Sequence, residues 1–239
     1  MSYQHEKKIG FLDLGAQGEM RLTALIKYIN EVSGYSGELL GAGMEDTLKF
    51  GMVFVLQRLG LQIFSMPKLD DTLTIRTWPG EMTRSAFKRQ GEMLNSAGVK
   101  IIEWESIWVL IDVNARKIKR PSEFPTEFPL YGRQGVEIEA EKVKIPAESE
   151  KLTAYNHTVR YSELDMYGHM NSANYADLIA NVLAKVERQS IENVREVQFN
   201  YINEAKLGDE VLVECQVLED ALYILGTSGE ATVFTAEIK

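Results

Sequence analysis

The feature that most constrains the fold of this 239-residue chain is that its two halves repeat one order of predicted elements. In each half, an amphipathic helix pattern precedes four runs typical of strands, separated by glycine-containing or polar breaks. The segment from Lys68 to Ile75 resembles the segment from Lys206 to Val213, which lies 138 residues later. This order indicates an internal duplication, although one α+β domain with accidental symmetry would give a similar pattern.

The predicted helices rest on apolar residues that recur at helical spacing. In the first half these residues are Leu22, Leu25, Ile26 and Ile29, and in the second they are Tyr175, Leu178, Ile179, Val182, Leu183 and Val186. The predicted strands are Met52–Phe64, Asp71–Thr77, Ala86–Leu94, Lys100–Val113, Glu196–Ile202, Glu210–Val217, Ala221–Gly226 and Ala231–Ile238. Each half is therefore predicted to be an α+β unit, with one helix wrapped by an antiparallel sheet.

A connector between the halves is indicated by proline, because four of the six prolines fall between residues 120 and 155. Proline lacks an N–H group and interrupts both helices and sheets, so this weakly periodic stretch is expected to run over the surface. The predicted domains are residues 1–119 and 156–239, joined by a linker at 120–155.

Composition excludes several classes of function. The formal net charge is −9, which disfavours a nucleic-acid partner because phosphate binding requires a basic face. With three histidines and one cysteine, Cys215, the chain lacks the ligand pattern of a zinc site and cannot form an internal disulfide. No apolar run is long enough to span a bilayer, and the N-terminus lacks the apolar core of a signal peptide. We therefore expect a cytoplasmic protein.

The segment that carries chemistry runs from Tyr161 to Tyr175, at the start of the second predicted helix, and contains Asp165, Gly168 and His169. The start of a helix presents free N–H groups and a partial positive charge, which can stabilise a developing oxyanion. Asp and Asn also serve there simply as helix caps, so spacing alone leaves both interpretations open.

The run Leu-Asp-Met-x-x-His-Met-Asn-x-x-x-Tyr, beginning at Leu164, resembles the signature of the acyl-ACP thioesterases of plants and bacteria. Two further segments are similar to that family: Ser-x-Trp-Val at Ser106 with the basic run at Arg116, and Phe-Asn-Tyr-x-x-Glu ending at Glu204. The resemblance implies two tandem hot-dog folds. It also implies hydrolysis of long-chain acyl-ACP to free fatty acid and holo-ACP, with no cofactor or metal. The first half would bind substrate and the second would carry catalysis.

Carried over by position, the resemblance assigns the family's Asp to Asp165, its His to His169 and its Glu to Glu204. The chain departs from the family at two positions, since Tyr167 replaces an Asn and Ala205 replaces a Cys. The missing Cys argues against a thiolate nucleophile. The missing Asn leaves either a rearranged or an impaired site.

The mechanism that survives these changes uses Glu204 as general base on water, with a nucleophilic Glu204 as the alternative. His169 would orient Glu204 or the water, and Asp165 would fix His169 or polarise the water. Backbone N–H groups near Gly168 would hold the carbonyl oxygen. Tyr167 is either a substituted polar contact or a wall residue.

Acyl carrier protein, with its acyl chain on 4′-phosphopantetheine, is the partner that the resemblance implies. Two basic clusters could dock this acidic partner, or they could be solvated surface with no partner. The denser cluster comprises Arg116, Lys117, Lys119 and Arg120, and the looser one comprises Arg84, Lys88 and Arg89. A fused pair of halves is compatible with either a monomer or a homodimer.

Three other functions remain open from the sequence. An acyl-CoA thioesterase of the same fold would differ only in the carrier. A catalytically silent fatty-acyl binding protein is made plausible by Tyr167. A dehydratase or hydratase fits less well, because the Glu204 position and the Trp108 segment both favour the thioesterases.

Overall fold

The computed structural model describes residues 2–127, 129–132, 134–147, 151–186, 194–218 and 221–239. Its α-helices there are α1 (Leu22–Leu39), α2 (Met44–Lys49) and α3 (Tyr175–Lys185). Its strands are β1 (Tyr3–Lys8), β2 (Met52–Ile63), β3 (Thr72–Met82), β4 (Phe87–Leu94), β5 (Lys100–Asp112), β6 (Lys117–Lys119), β7 (Lys151–Thr158), β8 (Glu196–Tyr201), β9 (Glu210–Leu218), β10 (Ala221–Ser228) and β11 (Ala231–Ile238). No helix in this described part has the length and apolar character needed to span a bilayer.

The strands form one antiparallel sheet in the order β1-β3-β4-β5-β2-β8-β11-β10-β9-β7, with β6 added to β5. The two halves meet where β2 pairs with β8, and Leu59 lies opposite Phe199 at that junction. On both sides of the junction the strands follow in the same order. This confirms the predicted α+β class with two tandem hot-dog folds.

The backbone pairing at the start of each long helix is also duplicated. The Met20 N–H donates to the Pro67 carbonyl at 3.0 Å, and the Met170 N–H donates to the Ala205 carbonyl at 2.8 Å. Ala205 therefore occupies the place that Pro67 has in the first half, as the 138-residue offset predicts. The residue before Ala205, Glu204, corresponds in the same way to Met66.

Both long helices pack on one face of the sheet and share a continuous core. The large side chains Trp104, Phe199 and Phe234 are fully buried beneath them, from strands of both halves. The helices also contact each other directly: the Thr23 hydroxyl donates to Asp177, and Asn30 Nδ2 donates to Ser172 Oγ at 3.0 Å. The start of α3 is thus held against the first turn of α1, and the segment just before α3 is held against the middle of α1.

The structure confirms the two long helices and eight predicted strands, but it contains elements that the sequence pattern did not predict. The strands β1 and β7 lie at the two ends of the sheet. The sequence of β1, Tyr-Gln-His-Glu-Lys-Lys, is polar because an edge strand needs few apolar residues. The linker was predicted to end at residue 155, whereas β7 already begins at Lys151.

The linker covers the outer face of the sheet, opposite the helices. Because side chains alternate along a strand, Trp104 points to the helices while Glu103 and Glu105 point outward. These two carboxylates are nevertheless buried, as are Gln198 and Asn200 on β8. Their burial shows that the linker forms a third layer.

Side chains of the sheet hold this layer by its backbone. Glu103 Oε1 accepts hydrogen bonds from the N–H groups of Glu137 (2.8 Å) and Ile138 (3.0 Å). Asn200 accepts from the Val143 N–H (2.8 Å) and donates to the Glu141 carbonyl (2.8 Å). The connector therefore gains the backbone hydrogen bonds of a strand without forming one.

We predict that Glu103→Gln lowers the free energy of unfolding by about 1–3 kcal/mol at pH 7. Burial acts to raise the pKa of Glu103, but hydrogen bonds from Lys100, Ile138 and Glu137 outweigh it and leave the pKa below its usual value. A lowered folded-state pKa stabilises the fold above the unfolded pKa, and this stabilisation is lost as the pH falls through the folded pKa.

Urea unfolding should accordingly show the largest difference between wild type and Glu103→Gln near neutral pH and a smaller one in acid. Glu230 is exposed, so Glu230→Gln is the matched control, and its unfolding midpoint should equal that of wild type. An unchanged unfolding midpoint for Glu103→Gln at pH 7 would contradict the role of this carboxylate.

Candidate active site

The segment before α3 forms a tight turn that carries the predicted catalytic histidine. The Asp165 N–H donates to the His169 carbonyl at 2.7 Å, and the Gly168 N–H donates to the Asp165 carbonyl at 3.1 Å. Gly168 has a φ of +80°, a conformation in which a Cβ atom would be strained. The turn therefore requires glycine at this position.

The Asp165 carboxylate fixes the same turn from inside. Its Oδ1 accepts hydrogen bonds from the backbone N–H groups of Tyr167 (2.8 Å) and His169 (3.1 Å). Asp165 thus orients His169 through the backbone and not through the imidazole ring.

His169 and Glu204 come together although they lie on different segments. His169 Nε2 is 3.1 Å from Glu204 Oε2, and both side chains are partly exposed. The backbone pairing of Met170 with Ala205 holds the turn against the chain that follows β8. A carboxylate and an imidazole at this separation can share a proton, and the pair can accept a hydrogen bond from a water molecule beside it.

Arg116 reaches this pair from the first half of the chain. It lies in the turn between β5 and β6, and its guanidinium donates a hydrogen bond to the same Glu204 Oε2. The Asp112 side chain shapes the turn by accepting from the N–H groups of Asn114 (3.0 Å) and Ala115 (2.8 Å). Arg116, predicted only as a docking residue, is thus a member of the candidate site.

The other residues of its basic cluster lie apart from Glu204. Lys119 pairs with Asp112 (3.7 Å) and with Glu123 (3.3 Å), whereas Lys117 and Arg120 are exposed. Of the looser cluster, Arg84 is exposed, but Lys88 and Arg89 line an internal cavity. Arg89 therefore faces the cavity beside the catalytic turn, and its part in docking stays a prediction.

Tyr167 occupies the edge of the site, with 48% of its surface exposed. Burial is the main factor that raises its pKa, and the Asp165 carboxylate raises it further. The phenol is therefore a neutral hydroxyl at physiological pH. The Gly168 N–H is already donated to Asp165, so in this structure it is not free for the oxyanion contact that the sequence suggested.

A buried tyrosine supports the site from behind. Burial is again the main cause that raises the pKa of Tyr175, and the carboxylates of Asp165 and Glu204 add to it. Its ring lies 5.8 Å from the ring of Tyr201, on β8. The first residue of α3 thus anchors the turn to the strand that leads to Glu204, a role that its place in the apolar stripe did not reveal.

A cavity of about 610 Å³ opens beside the catalytic turn. Its walls come mainly from the first half, and Asp165, Tyr167 and Asn171 contribute one side. The small residues of α1 that face it are Ser33, Gly34 and Gly37, and the apolar part includes Ala42, Phe54, Phe87 and Trp108. Such a volume and lining suit a single apolar ligand.

Among the large aromatic side chains of the first half, Phe54 lines the cavity, Trp104 belongs to the core and Phe64 is exposed. Within the described residues, no group of three or more His, Cys, Asp or Glu side chains is placed to hold a metal ion.

Comparison with known proteins finds family matches in both halves of the chain. Residues 1–127 match the model of the acyl-ACP thioesterase N-terminal domain, and residues 146–234 match that of the C-terminal domain. The chain is 21% identical to the chloroplastic oleoyl-acyl carrier protein thioesterase of Coriandrum sativum, over 98% of this chain and 69% of the relative.

Two solved structures share the fold. An acyl-ACP thioesterase from Bacteroides thetaiotaomicron superposes with a TM-score of 0.84 at 19% identity, covering 99% of this chain and 96% of its own. The 12:0-ACP thioesterase from Umbellularia californica gives 0.79 at 17% identity, covering 100% and 96%. Since the two family models together span most of the sequence, the chain belongs to the acyl-ACP thioesterase family and is a thiolester hydrolase acting on acyl-ACP.

Proposed function

We propose that this enzyme releases long-chain fatty acids from acyl carrier protein, with Glu204 as general base on water. The proposal rests on the 3.1 Å contact between His169 and Glu204. His169 belongs to the turn before α3, and Asp165 and Tyr167 of the same turn line the cavity. An acyl chain in that cavity would present its thioester carbon to this turn. A thioester is reactive enough to be hydrolysed without a Ser or Cys nucleophile.

In this mechanism, a water oxygen bonds to the thioester carbon while Glu204 takes one of the water protons. His169 orients the water and Glu204 for attack on the thioester carbon. The tetrahedral intermediate collapses as the C–S bond breaks, and Glu204 returns its proton to the departing thiolate. Fatty acid and the thiol of the carrier are the products, and the enzyme is unchanged.

The carbonyl oxygen needs a donor as its charge develops. We assign this role to Arg116, whose guanidinium has five N–H groups and uses one side on Glu204. The Tyr167 hydroxyl can assist from the cavity edge. Arg116 would thus position Glu204 and stabilise the oxyanion, and the mechanism does not need the Gly168 N–H.

Carrier docking is assigned to the exposed part of the basic cluster, Lys117 and Arg120. Both follow Arg116 closely, so the acidic carrier and the phosphate of its pantetheine arm would approach over the β5–β6 turn. One chain supplies both hot-dog halves, which supports a monomer, with a homodimer as the alternative. The cytoplasmic location remains a prediction from the sequence.

The test is thiol release from acyl-ACPs of increasing chain length, with the matching acyl-CoAs measured in parallel. We expect the highest kcat/KM on long-chain acyl-ACP and a loss of roughly a hundredfold or more in kcat for Glu204→Gln and His169→Gln. The control is His157→Gln, because His157 forms a similar pair with Glu163 (3.0 Å) and not with Glu204.

Bound acyl chains with no turnover in wild type would support a silent binding protein instead. Faster hydrolysis of acyl-CoA than of acyl-ACP would show that the carrier assignment is wrong. Full activity of Glu204→Gln would remove the general base from the mechanism.

Arg116 provides a second prediction. Arg116→Gln should lower kcat about a hundredfold on both carriers, because it removes an oxyanion donor and releases Glu204. Arg116→Lys should recover part of the loss, since it restores the charge without the planar fork. The control, Lys117→Gln, should raise KM for acyl-ACP only. If Arg116→Gln changed only the KM for acyl-ACP, Arg116 would be a docking residue and not part of the catalytic site.

A further inference from the structure

The cavity contains a cation that the proposed mechanism does not use. Arg89 lies on β4, between β3 and β5, and it is one of the residues that line the cavity. Its Nη1 donates to Ser36 Oγ on α1 (2.9 Å) and to Thr77 Oγ1 on β3 (3.3 Å). Both acceptors are neutral hydroxyls.

Arg89 has no carboxylate within ion-pair distance in the part of the chain that the structure describes. Its neighbour Lys88, which lines the same cavity, pairs with Glu105 at 3.3 Å. Burial lowers the pKa of Arg89 to about 10, so the group stays charged at neutral pH. Arg89 is half-buried, so its guanidinium has lost part of its hydration without gaining a carboxylate partner, and an oxygen atom of a ligand would replace the lost hydrogen bonds.

The geometry leaves donors available for such a ligand. A guanidinium has five N–H groups, and both hydrogen bonds of Arg89 start from Nη1. The N–H groups of Nε and Nη2 have no acceptor among the described residues. These groups can therefore bind an oxygen atom that enters the cavity.

The position of Arg89 along the cavity follows from α1. Asn30 contacts Ser172 next to the catalytic turn, and Ser36, which holds Arg89, lies six residues further along the helix. Six residues of α-helix span about 9 Å. An extended chain advances roughly 1.2 Å per bond, so this distance corresponds to about seven or eight bonds. Ser36 holds Arg89 well beyond the helix position that lies next to the catalytic turn, so Arg89 faces a part of the acyl chain that is separate from the thioester.

We propose that Arg89 forms a polar subsite for acyl chains that carry an oxygen acceptor, a hydroxyl, keto or carboxylate group, well away from the thioester. This subsite rests on the proposed function, because it assumes that the acyl chain occupies the cavity. An unsubstituted chain would displace water from the free guanidinium donors and leave them unpaired. An oxygen at the matching carbon satisfies them.

The experiment uses wild-type enzyme and acyl-ACPs of one long chain length. The chains are unsubstituted, hydroxylated at successive positions from the sixth carbon to the penultimate one, or terminated by a second carboxylate. We expect kcat/KM at the matched position to exceed that of the unsubstituted chain at least tenfold, as hydrogen bonds to a charged group allow. The hydroxyl and carboxylate series show which oxygen group is preferred.

Arg89→Met should bring the ratio of kcat/KM for the oxygenated chain to kcat/KM for the unsubstituted chain close to one. Arg89→Lys should keep part of the preference for the oxygenated chain. The matched control is Arg76→Met on β3, because Arg76 pairs with Glu92 at 3.4 Å outside the cavity and should leave the ratio unchanged. Since the wild-type ratio is the primary result, the test stands even where a variant folds poorly.

A second readout is the binding of free fatty acids and their hydroxylated forms to Glu204→Gln, measured by calorimetry. The subsite would be overturned if no oxygenated chain bound more tightly, and none was hydrolysed faster, than the unsubstituted chain. If wild type hydrolysed no acyl-ACP at all, the proposed function would fail, and the binding series would still decide the subsite.

Discussion

The pairing of β2 with β8 is the interaction on which the rest of the structure depends. It converts two similar units into one sheet, with Leu59 opposite Phe199 at the junction. Because this pairing fixes one half against the other, the β5–β6 turn of the first half reaches the end of β8 in the second. The contact of Arg116 with Glu204 is a direct consequence.

The duplication explains how one protein separates binding from chemistry. Each half carries a turn before its helix and a segment after the following strand, held together by the same backbone hydrogen bond. In the second half these places hold His169 and Glu204, and in the first they hold Glu19 and Met66. The first half instead contributes small residues on α1 and a wide cavity, so a ligand held by one half is presented to the other.

Much of the fold follows from the sequence, because apolar periodicity is strong wherever an element covers the core. The pattern at Leu22 predicts α1, and the alternation at Val197 and Phe199 predicts β8. The edge strand β1 was missed because burial does not impose an apolar pattern on it. The linker was predicted to lie on the surface, yet its hydrogen bonds with buried Glu103 and Asn200 make it a structural layer.

The site was predictable only in part. The spacing of Asp165 and His169 comes from one turn, so a linear motif describes it. Arg116 is 88 residues from Glu204, and its basic neighbours make it resemble a surface cation. The position of Arg89 in the cavity could not be predicted for a similar reason, since charge on a strand normally indicates an exposed face and no sequence pattern marks a cavity.

The central claim is that Glu204 activates water and forms no bond with the acyl group. One turnover with enzyme in excess, in water labelled with oxygen-18, tests it directly by mass spectrometry of both product and protein. General-base catalysis predicts one labelled oxygen in the fatty acid and none in the peptide that contains Glu204. Label in the Glu204 carboxylate would show that an acyl–enzyme anhydride had formed, and it would contradict the account.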